Sequence, residues 1–140
     1  MIFSSPYKRA VDTIAGYAES AEHQIQTVED FREREHAWVN DWLASVTKQW
    51  ADFAYKLPGD ESFEEVQRRN IAALNDVLGQ HKNMTIVIGT HGFALSTILN
   101  YYDKSFGFNE FMDMVHITPW IVKMEFDGLD VALIEKINIM

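Results

Sequence analysis

Thr85-Ile86-Val87-Ile88-Gly89-Thr90-His91-Gly92-Phe93-Ala94-Leu95-Ser96 decides how the rest of the chain is read. Its first four residues are a β-branched run, the composition of a strand buried on both faces. A glycine-bounded turn, Gly89-Thr90-His91-Gly92, follows. Beyond it, Phe93, Leu95, Ile98, Leu99 and Tyr102 recur at helical spacing. Strand, tight turn and helix form the unit that places ligands at the carboxyl ends of strands in an open α/β sheet. The turn predicts free backbone N–H groups and the positive end of a helix dipole beside His91, a place for an anion. Gly89 and Gly92 allow a sharp bend and a close approach of backbone. The same pattern also suits a connection whose histidine only caps or packs, so the remainder of the chain must weigh in.

A length of 140 residues fits one domain. The 47% hydrophobic content supports a core, and a domain near this size buries roughly 68–70% of its unfolded surface. No run of 18 apolar residues is present, so no membrane span is expected. Met1 to Pro6 does not read as a signal peptide, and the expected location is the cytoplasm. The absence of cysteine excludes disulfides and thiolate metal sites, and neither a metal nor another cofactor is expected. A formal charge of −9 argues against nonspecific binding of nucleic acid. It also means that a phosphate-bearing ligand must be held by local positive charge against the overall field.

Outward from the central stretch, Met1 to Ser4 reads as the tail of a strand. Ser5-Pro6 reads as a helix start, serine at the N-cap and proline at the first helical position. The helix carries Ala10, Val11, Ile14, Tyr17, Ala18 and Ala21 on one side. Arg9 sits in its first turn, where the dipole disfavours a cation, so it either reaches solvent or pairs with an anion. Gln24 to Val28 has β character. The segment from Glu29 to His36 is dense in charge of both signs, usually a solvated face. Trp38, Trp42, Leu43, Val46, Trp50 and Phe53 form an aromatic stripe that suits core packing, with part of it able to cover a cleft. Leu57 to Asp60 is a turn, and Ser62-Phe63-Glu64-Glu65 is a capping box opening a helix to about Gly79. Asn109 to Val115 reads as a short helical turn. Trp120 to Phe126 and Leu129 to Ile137 alternate about Asp127-Gly128, predicting an antiparallel hairpin at one edge of the sheet. No repeat, linker or low-complexity segment interrupts the chain.

Four pieces now stand in order: Phe3-Ser4-Ser5-Pro6-Tyr7-Lys8-Arg9-Ala10, Phe31-Arg32-Glu33-Arg34, Gly59-Asp60-Glu61-Ser62-Phe63 and Gly89-Thr90-His91-Gly92. Together they resemble the histidine phosphatase superfamily, in its phosphoglycerate-mutase-like branch. The resemblance implies a three-layer α/β sandwich, a mostly parallel sheet with helices on both faces and a C-terminal antiparallel hairpin. It implies a phosphate pocket in which Arg9 and His91 hold the phosphoryl group beside Gly92. Glu33 matches the proton donor to the leaving group, and Arg34 a substrate-contacting arginine of the mutases. Glu61 and Ser62 flank the pocket, with the helix cap as their own role. The chemistry suits these residue types. Phosphoryl transfer is mostly positioning and charge stabilisation, the work of a guanidinium, an imidazolium and a helix N-terminus. A carboxyl group kept protonated nearby acts as general acid, typically worth about 10²–10⁴-fold.

One departure is large. The Arg-His-Gly motif that supplies the family's nucleophilic histidine does not occur, and no Arg-His pair occurs anywhere. His23, His36, His81 and His116 do not follow a strand ending in glycine. The resemblance therefore implies residues 1–140 as a single incomplete domain, the C-terminal portion of a histidine phosphatase. A strand–helix unit of roughly 30 residues or more would be missing, through an internal start or a fragment. The missing strand is expected between Phe3-Ser4 and Thr85–Ile88, so that the chain either self-associates to fill the gap or closes it by rearranging strands. The expected function is a phosphomonoester phosphatase without its nucleophile. The alternative is a non-catalytic module that binds a phosphorylated ligand or a partner.

Overall fold

A computed structural model describes residues 1–139. Three short strands, β1 (Ile2–Ser4), β2 (Ile25–Thr27) and β3 (Val87–Gly89), form a parallel sheet in the order β2-β1-β3. The element in the middle is β1. It pairs with β3 in the register Ile2↔Val87, Phe3↔Ile88, Ser4↔Gly89. This corrects one expectation: no strand is missing between Phe3-Ser4 and Thr85–Ile88, because the two are direct neighbours. The ladder is closed by bonds from Val87 N–H to Met1 O (3.0 Å) and from Ser5 N–H to Gly89 O (2.8 Å). The peptide groups of Ile86 and Ile88 therefore turn to the other edge of β3, where no strand pairs with them among the described residues. That open edge explains why Ile86, Val87 and Ile88 are half-buried and not sealed on both faces.

Helices cover the two faces of this sheet. On one side lies α1 (Lys8–Ser20), packed against all three strands. On the other, Phe3, Ile86 and Ile88 meet Ile71, Leu74 and Val77 of α3 (Phe63–Gln80) and Ile98 of α4 (Gly92–Tyr102). Period-two alternation does this sorting: Phe3 and Ile88 share the α3–α4 face, while Ser4 and Gly89 lie toward α1. The capping box of α3 forms as its spacing predicts. Ser62 Oγ accepts from Glu65 N–H (3.2 Å), and Glu65 accepts from Ser62 N–H (2.8 Å).

A second core is aromatic. Val46 of α2 (Trp42–Ala51) joins Phe63, Phe93 and Phe111, the last from α5 (Phe108–Val115). Trp42, Trp50 and Phe53 pack around them. The stripe is thus mostly core, although Trp38 lies outside α2 and is 81% exposed. The hairpin, β4 (Ile121–Asp127) and β5 (Asp130–Ile137), forms an antiparallel sheet of its own, not the edge of the parallel sheet. Met124 and Phe126 lean back onto the main core.

Gly89 is where the chain has no spare room. A Cβ there would meet Ser4 Oγ at 2.9 Å, Ala10 O at 3.0 Å and Ile14 Cδ1 at 3.1 Å. Ala10 O belongs to the helix backbone and Ser4 Oγ is held by its bond to the Ser5 carbonyl, so neither yields cheaply. We expect Gly89→Ala to cost about 1–3 kcal/mol, the range for overpacking. Urea denaturation of both proteins reads this directly, and an unchanged midpoint would mean that α1 can move away from β3.

Candidate functional site

Because β1 and β3 are parallel neighbours, the turns after them open side by side. The turn after β1 carries Ser5 and Tyr7 and leads to Arg9 in the first turn of α1; the turn after β3 carries Thr90 and His91 and leads to Gly92, the first residue of α4. Ser5 Oγ lies 2.7 Å from His91 Nε2. The Tyr7 ring packs edge-on against the imidazole, with centroids 5.2 Å apart, and the Arg9 guanidinium sits 5.1 Å from the same tyrosine ring. Ser5 is not the expected N-cap. Helix α1 begins at Lys8 after Tyr7, and the serine hydroxyl instead accepts from Tyr7 N–H (3.2 Å) while meeting the histidine. Arg9 is exposed and has no carboxylate partner among the described residues, unlike Arg32, Arg68 and Arg69.

His91 is 8% exposed. Burial, and then the positive charges of Arg9 and Arg69, push its pKa down to about 4. The expected imidazolium is therefore corrected: at neutral pH the ring is neutral, because its neighbours are cations and its surroundings are dry.

Glu33 reaches the same helix end from far along the chain. Its carboxylate accepts from Phe93 N–H (3.0 Å) and Ala94 N–H (2.9 Å), and also from Arg34 N–H (2.9 Å). It supplies the anion that the N-terminus of α4 favours. The expected set of free N–H groups is thereby reduced, and Gly92 N–H is the first-turn donor that Glu33 leaves alone. Arg69 holds Glu33 in place. Its guanidinium donates to the carbonyls of Asp30, Arg32 and Glu33 and pairs with Glu61 at 2.7 Å. Burial raises the Glu61 pKa, but the Arg69 hydrogen bonds lead the effects that lower it, and the net direction is down.

Arg34 goes elsewhere. It is 5% exposed, with its guanidinium 4.1 Å from the Phe93 ring centre and bonded to Gln49 Oε1. Burial lowers its pKa, against the opposing pull of Glu33, Asp60 and Glu61. A cation so enclosed offers no free face to a ligand, so Arg34 ties α2 to α4. The sequence reading missed Ser5 as a partner of His91, and missed Arg69 and Gln49. It also missed Thr90, whose hydroxyl is sealed and has no hydrogen-bond partner. Adjacency to the histidine was the one signal available for Thr90. No group of three or more potential metal ligands gathers among the described residues, and no helix there is long and apolar enough to cross a membrane.

The family model described as the histidine phosphatase superfamily (branch 1) matches residues 1–134. The chain belongs to the histidine phosphatase superfamily. An uncharacterized phosphatase of Bacillus subtilis (strain 168), PhoE, is 31% identical over 100 residues, covering 71% of this chain and 51% of the relative. The chain thus spans about half the length of the curated relative it matches. Bacillus stearothermophilus YhfR shares the fold with a TM-score of 0.69 at 22% identity, over 94% of this chain and 70% of that one. The mycobacterial glucosyl-3-phosphoglycerate phosphatase Rv2419c in complex with VO3 does so with a TM-score of 0.68 at 14% identity, over 96% and 73%.

The electrostatics of His91 set its pH response. The unfolded chain takes up a proton on this residue near pH 6.5, whereas the folded protein resists until about 4. The unfolded state therefore binds more protons in that window, and stability falls as pH drops from 6.5 toward 4, then levels. The loss attributable to His91 is on the order of 2–4 kcal/mol. NMR titration of the His91 ring should give a midpoint well below the 6.5 of an ordinary imidazole. A midpoint near 6.5 would show that the turn admits water freely.

Proposed function

We propose that this chain binds the phosphoryl group of a phosphomonoester at the paired turns after β1 and β3. The observation that carries the reading is Arg9, a cation without a carboxylate partner among the described residues, beside a neutral histidine and the end of a helix, in a protein of net charge −9. In this reading Arg9 supplies the positive charge, and His91 and Gly92 N–H donate hydrogen bonds to phosphoryl oxygens. Glu33 orders the N-terminus of α4. Service as proton donor would require its carboxylate to exchange backbone N–H partners for a leaving group. Membership of the superfamily supports this assignment, as does the binding of VO3 by the mycobacterial phosphatase of the same fold.

Turnover is a separate matter. The sequence has no Arg-His-Gly motif, and His91 Nε2 already meets Ser5. We infer that these 140 residues do not form a phosphohistidine and act as the phosphate-holding part of the chemistry. Between phosphatase and mutase, the enclosure of Arg34 favours phosphatase, since the arginine that would contact a mutase substrate is spent inside the fold. The substrate itself is read only as a small phosphomonoester.

Calorimetric titration with inorganic phosphate or vanadate tests the site. We expect saturable binding that Arg9→Ala weakens by about 1–3 kcal/mol, the worth of a hydrogen bond to a charged group at an accessible position. Equal affinity in the two proteins would make Arg9 a bystander.

The same reading gives the open edge of β3 a role. Ile86 and Ile88 present peptide groups there that no strand pairs with among the described residues, an arrangement that recruits another strand. We expect the 140-residue chain to self-associate through this edge. Sedimentation velocity should show a concentration-dependent oligomer that Ile88→Pro disperses. A monomer at all concentrations would mean that the edge is already protected.

A further inference from the structure

The contact between Ser5 and His91 fixes more than distance. A neutral imidazole carries one proton on either Nδ1 or Nε2, and its partners choose which. Ser5 is fully buried. Its hydroxyl oxygen accepts from Tyr7 N–H at 3.2 Å, and it meets one further polar atom among the described residues, His91 Nε2 at 2.7 Å. The neighbouring Ser4 hydroxyl is committed to the Ser5 carbonyl at 2.8 Å. If Nε2 carried the proton, it would donate to Ser5 Oγ, and the serine O–H would be sealed in the interior without an acceptor. If Nε2 is bare, the serine O–H donates to it and every group is satisfied.

We propose that Ser5 is a positioning residue that sets the His91 tautomer. Its O–H donates to Nε2, so the neutral ring carries its proton on Nδ1 and offers that N–H as a donor. His91 Nδ1 makes no hydrogen bond among the described residues, and it is not one of the sealed polar atoms that lack a partner. It is the ring atom left to meet a ligand oxygen. The neutrality of the ring at ordinary pH agrees with this arrangement. In effect, a buried serine turns an uncharged histidine into a one-directional donor. The tautomer follows from the fold alone. Only the identity of the oxygen that meets Nδ1–H rests on the phosphate reading given above.

The test is a long-range ¹H–¹⁵N correlation spectrum of the imidazole nitrogens at pH 7, in the 140-residue chain without phosphate. His91 should show a protonated Nδ1 and a bare Nε2. Protonated Nε2 as the major species in this spectrum would overturn the proposal with no variant needed. Ser5→Ala should move the ring toward the other tautomer, and Ser5→Thr, which keeps the hydroxyl, should restore the original one. A variant that only loosened packing would not be rescued in this specific way, and an unchanged tautomer in folded Ser5→Ala would also overturn the assignment. Adding inorganic phosphate separates the two readings. Binding weakened about tenfold in Ser5→Ala, the loss of one well-aligned donor to an anion, supports both. The Nδ1–H tautomer in a chain that binds no phosphate supports the role of Ser5 and overturns the phosphate site.

Discussion

The parallel pairing of β1 with β3 is the constraint on which the site depends. Ser4 lies opposite Gly89, so the residues that follow, Ser5 on one strand and Thr90-His91 on the other, leave the sheet side by side. The contact between Ser5 and His91 is a consequence of that adjacency. The pairing is permitted by the absence of a side chain at position 89. Ser4 Oγ and the carbonyl of Ala10 occupy the space where a Cβ would stand, and α1 can then seat against both strands. Three-residue strands contribute few ladder bonds, so the register is held from outside. Helices pack on both faces, and Phe3 and Ile88 are sorted together into the α3–α4 core.

The second determinant is how an acidic protein arranges its charge around this point. Arg69 reaches three carbonyls of the segment carrying Glu33, and Glu61 neutralises it. That brace delivers Glu33 to the N-terminus of α4, where its carboxylate consumes two backbone donors. An open helix end would attract any anion. A capped one would leave the proposed anion to Arg9, the neutral histidine and Gly92 N–H, whose geometry discriminates more than a diffuse dipole does. Arg34 shows the reverse choice, a guanidinium laid on Phe93 and turned into the aromatic core. Two neighbouring residues, Glu33 and Arg34, thus both fasten the start of α4, one by its backbone and one by its first aromatic side chain.

These facts also explain what could be read from the sequence. Features written in local spacing were legible: the Ser62–Glu65 capping box, the alternation of the hairpin and the strand–turn–helix around His91. Features decided by distant partners were not. Ser5-Pro6 satisfies the local rule for a helix start, yet the serine hydroxyl is claimed by His91, 86 positions away. Arg69 sits in an ordinary amphipathic helix, and its partners at Asp30, Arg32 and Glu33 lie 36 to 39 positions back. Strand order was misjudged for the same reason. Composition says that Thr85–Ile88 is a strand, but only packing says whether its neighbour is Phe3. The charge state of His91 depends on burial and on two arginines from other elements, none visible in the turn itself.

The neutral state of His91 has a further physical consequence for a site of this kind. In the empty protein, Arg9 and Arg69 repel a second positive charge, and burial adds to the cost. A bound phosphoryl dianion reverses the sign of that local field, so the same ring that resists a proton when empty gains one more easily when occupied. Proton uptake and anion binding are then linked, and linkage is reciprocal. Whatever eases protonation of His91 favours the anion by the same free energy. Ser5 works against this gain, because a doubly protonated ring withdraws the acceptor of its hydroxyl proton and leaves that proton stranded. In the phosphate site proposed above, the serine would therefore bias the occupied state toward a neutral donor with the charge concentrated on Arg9. In that division of labour the guanidinium would provide attraction and the imidazole direction.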